Sequence, residues 1–188
     1  MFKDDDFIST CDVPGPTKEE IRALLLYKAD VKSNDVVVDI GCGTGGITVE
    51  FLKCGCKVYS IDKNPEAIDL TKNNIDKLIE DKYKSVILKT DGVTALKCID
   101  NFDIAVIGGS GNDLEKILDE VDLKLNPKGR ILITAILVDT KVEAINKLKD
   151  LGYNPKLVEI NVSKGRILDR GIMMMANNPI AIISASKR

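Results

Sequence analysis

The sequence predicts an α/β fold, a doubly wound sheet that is mostly parallel and ends in an antiparallel strand. Three observations predict it. Apolar runs rich in β-branched residues at 36–40, 57–61, 85–89, 102–107 and 130–137 alternate with segments of helical periodicity, as strands covered on both faces require. A glycine cluster, Gly41, Gly43, Gly45 and Gly46, follows the first run directly and leads into an apolar helix pattern. The last two strand-like stretches, 155–162 and 172–185, are separated only by 163–171. That connection is too short for a crossover helix, so the two stretches should pair antiparallel.

A length of 188 residues fits a single domain, with an N-terminal segment and capped helix (1–30) ahead of the core (31–188). Hydrophobic residues at 44% and charged residues at 30% match a soluble globular chain. A net charge of −2 supplies no global attraction to nucleic acid. No apolar run approaches the roughly 20 residues that span a bilayer, and the acidic start, Met1-Phe-Lys-Asp-Asp-Asp6, is unlike a signal peptide. Cytoplasm is therefore expected. The five cysteines are scattered and the chain has no histidine, so no metal centre is expected and the thiols should be reduced and mostly buried. Without histidine, Ser-His and Cys-His hydrolases are poor readings.

Along the chain, Pro14-Gly-Pro16 precedes Thr17, a natural helix N-cap with Glu20 placed to complete a capping box. The same stiff segment can also lie across a ligand cleft. In the strand–glycine–helix unit, Gly41, Gly43 and Gly46 fit the dinucleotide pattern, and missing Cβ atoms let a nucleotide-type ligand approach the backbone. Asp62 closes the second strand about 20 residues beyond the glycines, where a carboxylate can accept from ribose hydroxyls. Its alternative is to cap the helix predicted over 65–80. Asp91-Gly92 ends the third strand and suits either an adenine amino group or a plain turn.

The fourth strand runs into Gly108, Gly109, Ser110 and Gly111, which should border the same crevice and suit a bulky or carboxylate-bearing substrate. A helix is expected over 112–121, a turn at 126–129, and a further helix that stops near Gly152. Lys164, Arg166 and Arg170 fall in the last connection. They read as a clamp for a polyanionic substrate or as a solvated basic hairpin. Met173, Met174 and Met175 read as flexible core packing or pocket lining rather than a metal site.

Asp39-x-Gly41-x-Gly43-x-Gly45 resembles the acidic glycine signature of class I methyltransferases, whose Rossmann-like seven-stranded sheet ends in an antiparallel strand. Three further stretches are more particular: Pro14-Gly-Pro-Thr-Lys-Glu-Glu20, Ile107-Gly-Gly-Ser-Gly111 and Gly165-Arg-Ile-Leu-Asp-Arg-Gly171, the last continuing through Met173, Met174 and Asn178-Pro179. Over nearly the whole chain the sequence is similar to the decarboxylating cobalt-precorrin-6B C-15 methyltransferases of cobalamin biosynthesis. The resemblance implies S-adenosylmethionine held by Gly41, Cys42, Gly43, Thr44, Gly45, Asp62, Asp91, Gly92 and Thr17. It implies methylation of a cobalt tetrapyrrole with loss of carbon dioxide, and a homotetramer. Substrate contacts are expected at Gly109 and Ser110 and through the basic connection; no general base is assigned. One departure is Asp91-Gly92, where the family leads us to expect an acid followed by alanine. The rival readings are an RNA methyltransferase of the same fold, an NAD-dependent oxidoreductase and a non-catalytic nucleotide-binding module.

Overall fold

The computed structural model describes residues 1–187. In chain order the elements are α1 (Glu19–Ala29), β1 (Val36–Ile40), α2 (Gly46–Lys53), β2 (Lys57–Asp62), α3 (Pro65–Leu78), β3 (Ser85–Lys89), α4 (Gly92–Cys98), β4 (Phe102–Ile107), α5 (Leu114–Lys124), β5 (Leu125–Ala135), α6 (Val138–Asp150), β6 (Lys156–Ile160), β7 (Ser163–Leu168), β8 (Gly171–Ala176) and β9 (Ile180–Ser186). Seven strands form one sheet in the order β3-β2-β1-β4-β5-β9-β6. Neighbours from β3 to β5 run parallel, while β9 lies antiparallel between β5 and β6. The predicted class and its antiparallel end are both present.

The period of two along each strand divides the core between two faces. Val37, Val58, Ile104, Val106, Leu132 and Ile182 pack with α1–α3, among them Ile21, Leu25, Phe51 and Ile75. Val38, Ile40, Ala105, Ile107, Ile131 and Ile183 pack with α4–α6, among them Leu96, Ile117, Leu118 and Leu148. Strands buried on both faces read as near-continuous apolar runs. That is why β1 and β4 stand out in the sequence.

Four expectations need correction. The capping box at Thr17 and Glu20 does not form: α1 is preceded by Lys18 with no side-chain cap, the Thr17 carbonyl accepts from Arg22, and Glu20 pairs with Lys164. The predicted strand over 172–185 is two strands, broken before Pro179, which has no N–H for a ladder. The 155–162 stretch pairs antiparallel only with the later part of that run, as β6 with β9, because the connection supplies β7, which pairs with β8 as a separate hairpin. Of the five free thiols only Cys42 and Cys56 are buried; Cys11, Cys54 and Cys98 are exposed, the last two at helix ends. A smaller difference concerns 126–129, which form an irregularity inside β5, where pairing to β4 jumps from Leu125 to Arg130. No helix among the described residues is long and apolar enough to cross a membrane.

Candidate active site

Strand order reverses between β1 and β4, and at such a switch point the loops leaving the two strands part to form a crevice. A cleft of about 380 Å³ opens there. Its floor is the turn after β1. Gly41 and Cys42 donate their N–H groups to the Ile61 carbonyl at 2.8 and 3.1 Å, and Gly43 donates to Asp62 Oδ2 at 3.0 Å. From α3, Thr71 Oγ1 donates to the Gly43 carbonyl (2.9 Å) and Asn74 Nδ2 to the Thr44 carbonyl (2.8 Å), fixing the turn from behind.

Gly41 has φ +74°, and a Cβ there would sit 2.5 Å from the backbone nitrogen of Gly109. Backbone therefore touches backbone where the β1 and β4 loops cross. Gly108 and Gly109 complete the crossing by donating to the Ile40 carbonyl at 2.9 and 3.3 Å.

The predicted ligand residues converge. Thr17, Gly41, Cys42, Gly43, Thr44, Asp62, Asp91, Gly92, Gly109 and Ser110 all line this cleft, and Gly45 initiates α2 beneath it. Asp62 uses one oxygen for Gly43 and the other for the Asn64 N–H at 2.9 Å. A carboxylate oxygen accepts more than one bond, so both retain capacity toward the cleft. Asn64, rather than Asp62, caps α3, accepting from Glu66 N–H at 3.0 Å. Asp91 caps α4 through the Thr94 N–H at 2.9 Å, which holds its carboxyl below the usual value, and it also borders the cleft. A Cβ on Gly92 would meet Ile40 Cγ2 at 2.8 Å and Ile117 Cδ1 at 3.2 Å. Those isoleucines give a packing reason for glycine where alanine was expected.

The basic connection is the exception. Lys164 Nζ lies 3.0 Å from Glu20, 3.4 Å from Asp4 and 3.5 Å from Glu19, and the Glu20 contact holds its ammonium above the ordinary value. Arg166 and Arg170 sit on the exposed β7–β8 hairpin and its tip. None of the three lines the cleft, so within one chain the expected clamp is not formed there.

Two further groups matter beneath and beside the floor. Asp39 is completely buried; its Oδ2 accepts from Thr48 Oγ1 at 2.7 Å, Thr48 lies 2.9 Å from Ser60 Oγ, and Oδ1 has no partner among the described residues. Burial pushes the Asp39 carboxyl up to about 6 despite the Thr48 bond, and the nearby Asp62 charge adds to the rise. Burial also pushes the Cys42 thiol up, which keeps it protonated and inert as a nucleophile.

The segment before α1 forms one wall as a strap. Pro14, Gly15 and Thr17 line the cleft, Val13 packs with Ala67 and Leu70, and Pro16 rests on Gly46. Arg22 fastens the strap from within the protein. Its guanidinium bonds Glu50 (3.2 Å), Asp4 (2.9 Å), the Phe2 carbonyl (2.7 Å) and the Thr17 carbonyl, and it lies over the Phe7 ring. Lys63 and Thr134 also line the cleft, though neither was singled out in the sequence. Lys63 follows Asp62 and was open to detection as a neighbour. Thr134 lies inside an apolar strand run and carried no signal.

The sequence family described as "Precorrin methyltransferase domain" matches residues 14–187. The chain belongs to this precorrin methyltransferase family. Members near it in sequence include a Methanobrevibacter smithii protein named "Probable cobalt-precorrin-6B C(15)-methyltransferase (decarboxylating)", 64% identical over the full length of both chains. A crystal structure from Methanobacterium thermoautotrophicum, described as precorrin 8W decarboxylase, is 46% identical with a TM-score of 0.94 and covers 98% of this chain and 99% of its own. The precorrin-6y C5,15-methyltransferase structure from Geobacter metallireducens is 29% identical with a TM-score of 0.92, covering 100% and 98%. Methyltransferases of this family and fold imply use of S-adenosylmethionine.

Proposed function

We infer that this chain is an S-adenosylmethionine-dependent C-methyltransferase that methylates C-15 of a cobalt-precorrin and removes the ring-C acetate carboxyl as carbon dioxide. The supporting observation is a glycine-floored, carboxylate-edged cleft at the β1/β4 switch in a chain 64% identical, end to end, to a relative carrying that name. The cleft suits the donor. Its volume of about 380 Å³ falls within the usual range for small-molecule sites. The crossing of Gly41 and Gly109 keeps side chains out of the floor.

In this reading Gly41, Cys42, Gly43, Thr44 and Gly45 present backbone to the donor, and Asp62 accepts from its ribose hydroxyls. Asp91 and Gly92 face the adenine, and Thr17 closes the cleft from the strap. Gly109 and Ser110 offer bare backbone where donor and acceptor meet. The donor supplies an electrophilic methyl group when bound. The chain contributes alignment and a drier site, and the macrocycle carbon attacks without a histidine base. Loss of carbon dioxide returns an electron pair to the ring made cationic by methylation, and the proton that the former acetate carbon takes up is matched by one released elsewhere on the macrocycle.

The homotetramer implied by the resemblance has a candidate surface in the β7–β8 hairpin, where Ile167 and Ile172 are 83% and 70% exposed. Apolar side chains paired across a free-standing hairpin favour a partner copy. Cytoplasmic placement accords with five unbonded thiols. Incubation with S-adenosylmethionine and cobalt-precorrin-6B tests the activity: mass spectrometry should find one methyl gained and one carbon dioxide lost. An unaltered precorrin with S-adenosylmethionine intact refutes it.

A further inference from the structure

A second cleft, about 530 Å³, lies on the far side of the loop formed by residues 108–111. The strap residues 14–18 form one wall and the end of β5 with the start of α6 forms the other. On that wall Ile136 and Leu137 are 56% and 67% exposed, and Val138 beside them is exposed as well. Three consecutive apolar side chains left in water carry an unrealised hydrophobic gain of about 1.5–3 kcal/mol each, so they mark a contact surface.

This cleft is continuous with the first. Gly15, Gly108, Gly109 and Thr134 line both, and Thr134 Oγ1 lies 3.7 Å from where a Gly108 Cβ would stand. Pro14, Thr17, Ser110 and Gly111 line both as well, so small residues of the strap and of the loop after β4 form the boundary between the two chambers. Their charges differ. The first chamber is edged by Asp62, Asp91 and Asp113, whereas no carboxylate lines the second among the described residues. Its one charged wall residue is Lys18, held loosely by Asp4 at 3.7 Å. Lys63 stands at the mouth of the first chamber beside Gly111, with no hydrogen-bond or carboxylate partner among the described residues. A cation-bearing donor suits the carboxylate-edged chamber. A flat apolar ring with carboxylate arms suits an apolar shelf with Lys18 on its wall and Lys63 across the shared loop at the first chamber's mouth.

We propose that the second cleft seats the substrate macrocycle, with Ile136 and Leu137 as the shelf beneath the ring, Pro14 and Pro16 against its other face, and Lys18 and Lys63 receiving its carboxylates. This assignment depends on the methyl-transfer function inferred above. The expected occupant is a polycarboxylate tetrapyrrole, and the shelf sets specificity for a planar apolar acceptor.

Uroporphyrin, a tetrapyrrole with a full set of carboxylates, serves as the probe for binding to the whole chain with S-adenosylhomocysteine present. Wild type should bind it. Leu137→Glu should weaken that binding by at least about tenfold and raise KM for cobalt-precorrin-6B by a similar factor. S-adenosylhomocysteine affinity should stay unchanged, and Leu123→Glu, on the exposed face of α5, should behave as wild type. Lys63→Gln should weaken uroporphyrin less than Leu137→Glu and lower its salt dependence. Wild type that turns over cobalt-precorrin while Leu137→Glu keeps the same KM overturns the seat and leaves the methyl-transfer function standing. Porphyrin binding lost in Leu137→Glu without turnover by wild type refutes the function and supports the seat. Failure of wild type to bind the porphyrin, or an oligomer broken by Leu137→Glu, overturns the proposal.

Discussion

Replacing Asp39 with asparagine isolates the cost of burying a carboxyl beneath the glycine floor. The folded carboxyl titrates near 6 against an ordinary 3.8, a rise of about two units, equivalent to about 3 kcal/mol. Because the folded value lies above the unfolded one, the folded state binds the extra proton between those limits. Stability therefore falls as pH rises through the window from 3.8 to about 6, and the full cost stands above it. In the Asp39→Asn variant the side-chain carbonyl oxygen would keep the Thr48 bond. Its amide N–H would take the place of the unpartnered Oδ1, costing about 1–3 kcal/mol at every pH. The two effects separate by pH. The stability difference between variant and wild type should move in the variant's favour by about 2.5 kcal/mol between pH 4 and pH 8. Urea unfolding of both proteins at several pH values measures it. A difference that stays constant with pH would refute the raised carboxyl.

Asp62→Ala removes the acceptor for Gly43 and Asn64 as well as the expected ribose contact, so S-adenosylhomocysteine affinity measured by calorimetry should fall by about tenfold to a hundredfold. Arg22→Met leaves Glu50 buried and Asp4 without its guanidinium, and should cost about 3–5 kcal/mol in denaturant unfolding, with part recovered by adding Glu50→Gln. Ile167→Lys on the hairpin should shift the mass measured by light scattering toward the monomer without changing S-adenosylhomocysteine affinity, because the hairpin lies outside the main sheet and lines neither cleft.

The site was legible where its determinants are local. The glycines after β1 and the carboxylate at the end of β2 are each fixed by neighbours within one strand–turn–helix unit, and spacing alone revealed them. What depends on distant partners was not legible. Thr17 and Glu20 have the spacing of a capping box, yet α1 starts only after Lys18 and Lys164 takes the Glu20 carboxylate, and no local pattern announces a lysine so far along the chain. Apolar runs posed the other difficulty, because hydropathy does not distinguish a buried strand from an exposed shelf. The predicted fifth strand extended to Leu137, but β5 stops at Ala135 and the next three residues face solvent. The hairpin residues misled in the same way: Ile172 to Met175 read as an interior strand and lie on the surface.

Where the β1 and β4 loops meet, peptide rests directly on peptide, so the spacing between those two loops is set by main-chain geometry and no rotamer change can alter it. Side-chain breathing elsewhere leaves that spacing untouched, a useful property when a transferred group must travel in a straight line. The proline-bounded stretch ahead of α1 is held differently, by side chains: Val13 packs on Ala67 and Leu70, and the Arg22 guanidinium bonds the Thr17 carbonyl. Its seating therefore depends on Arg22, a residue that lines neither chamber.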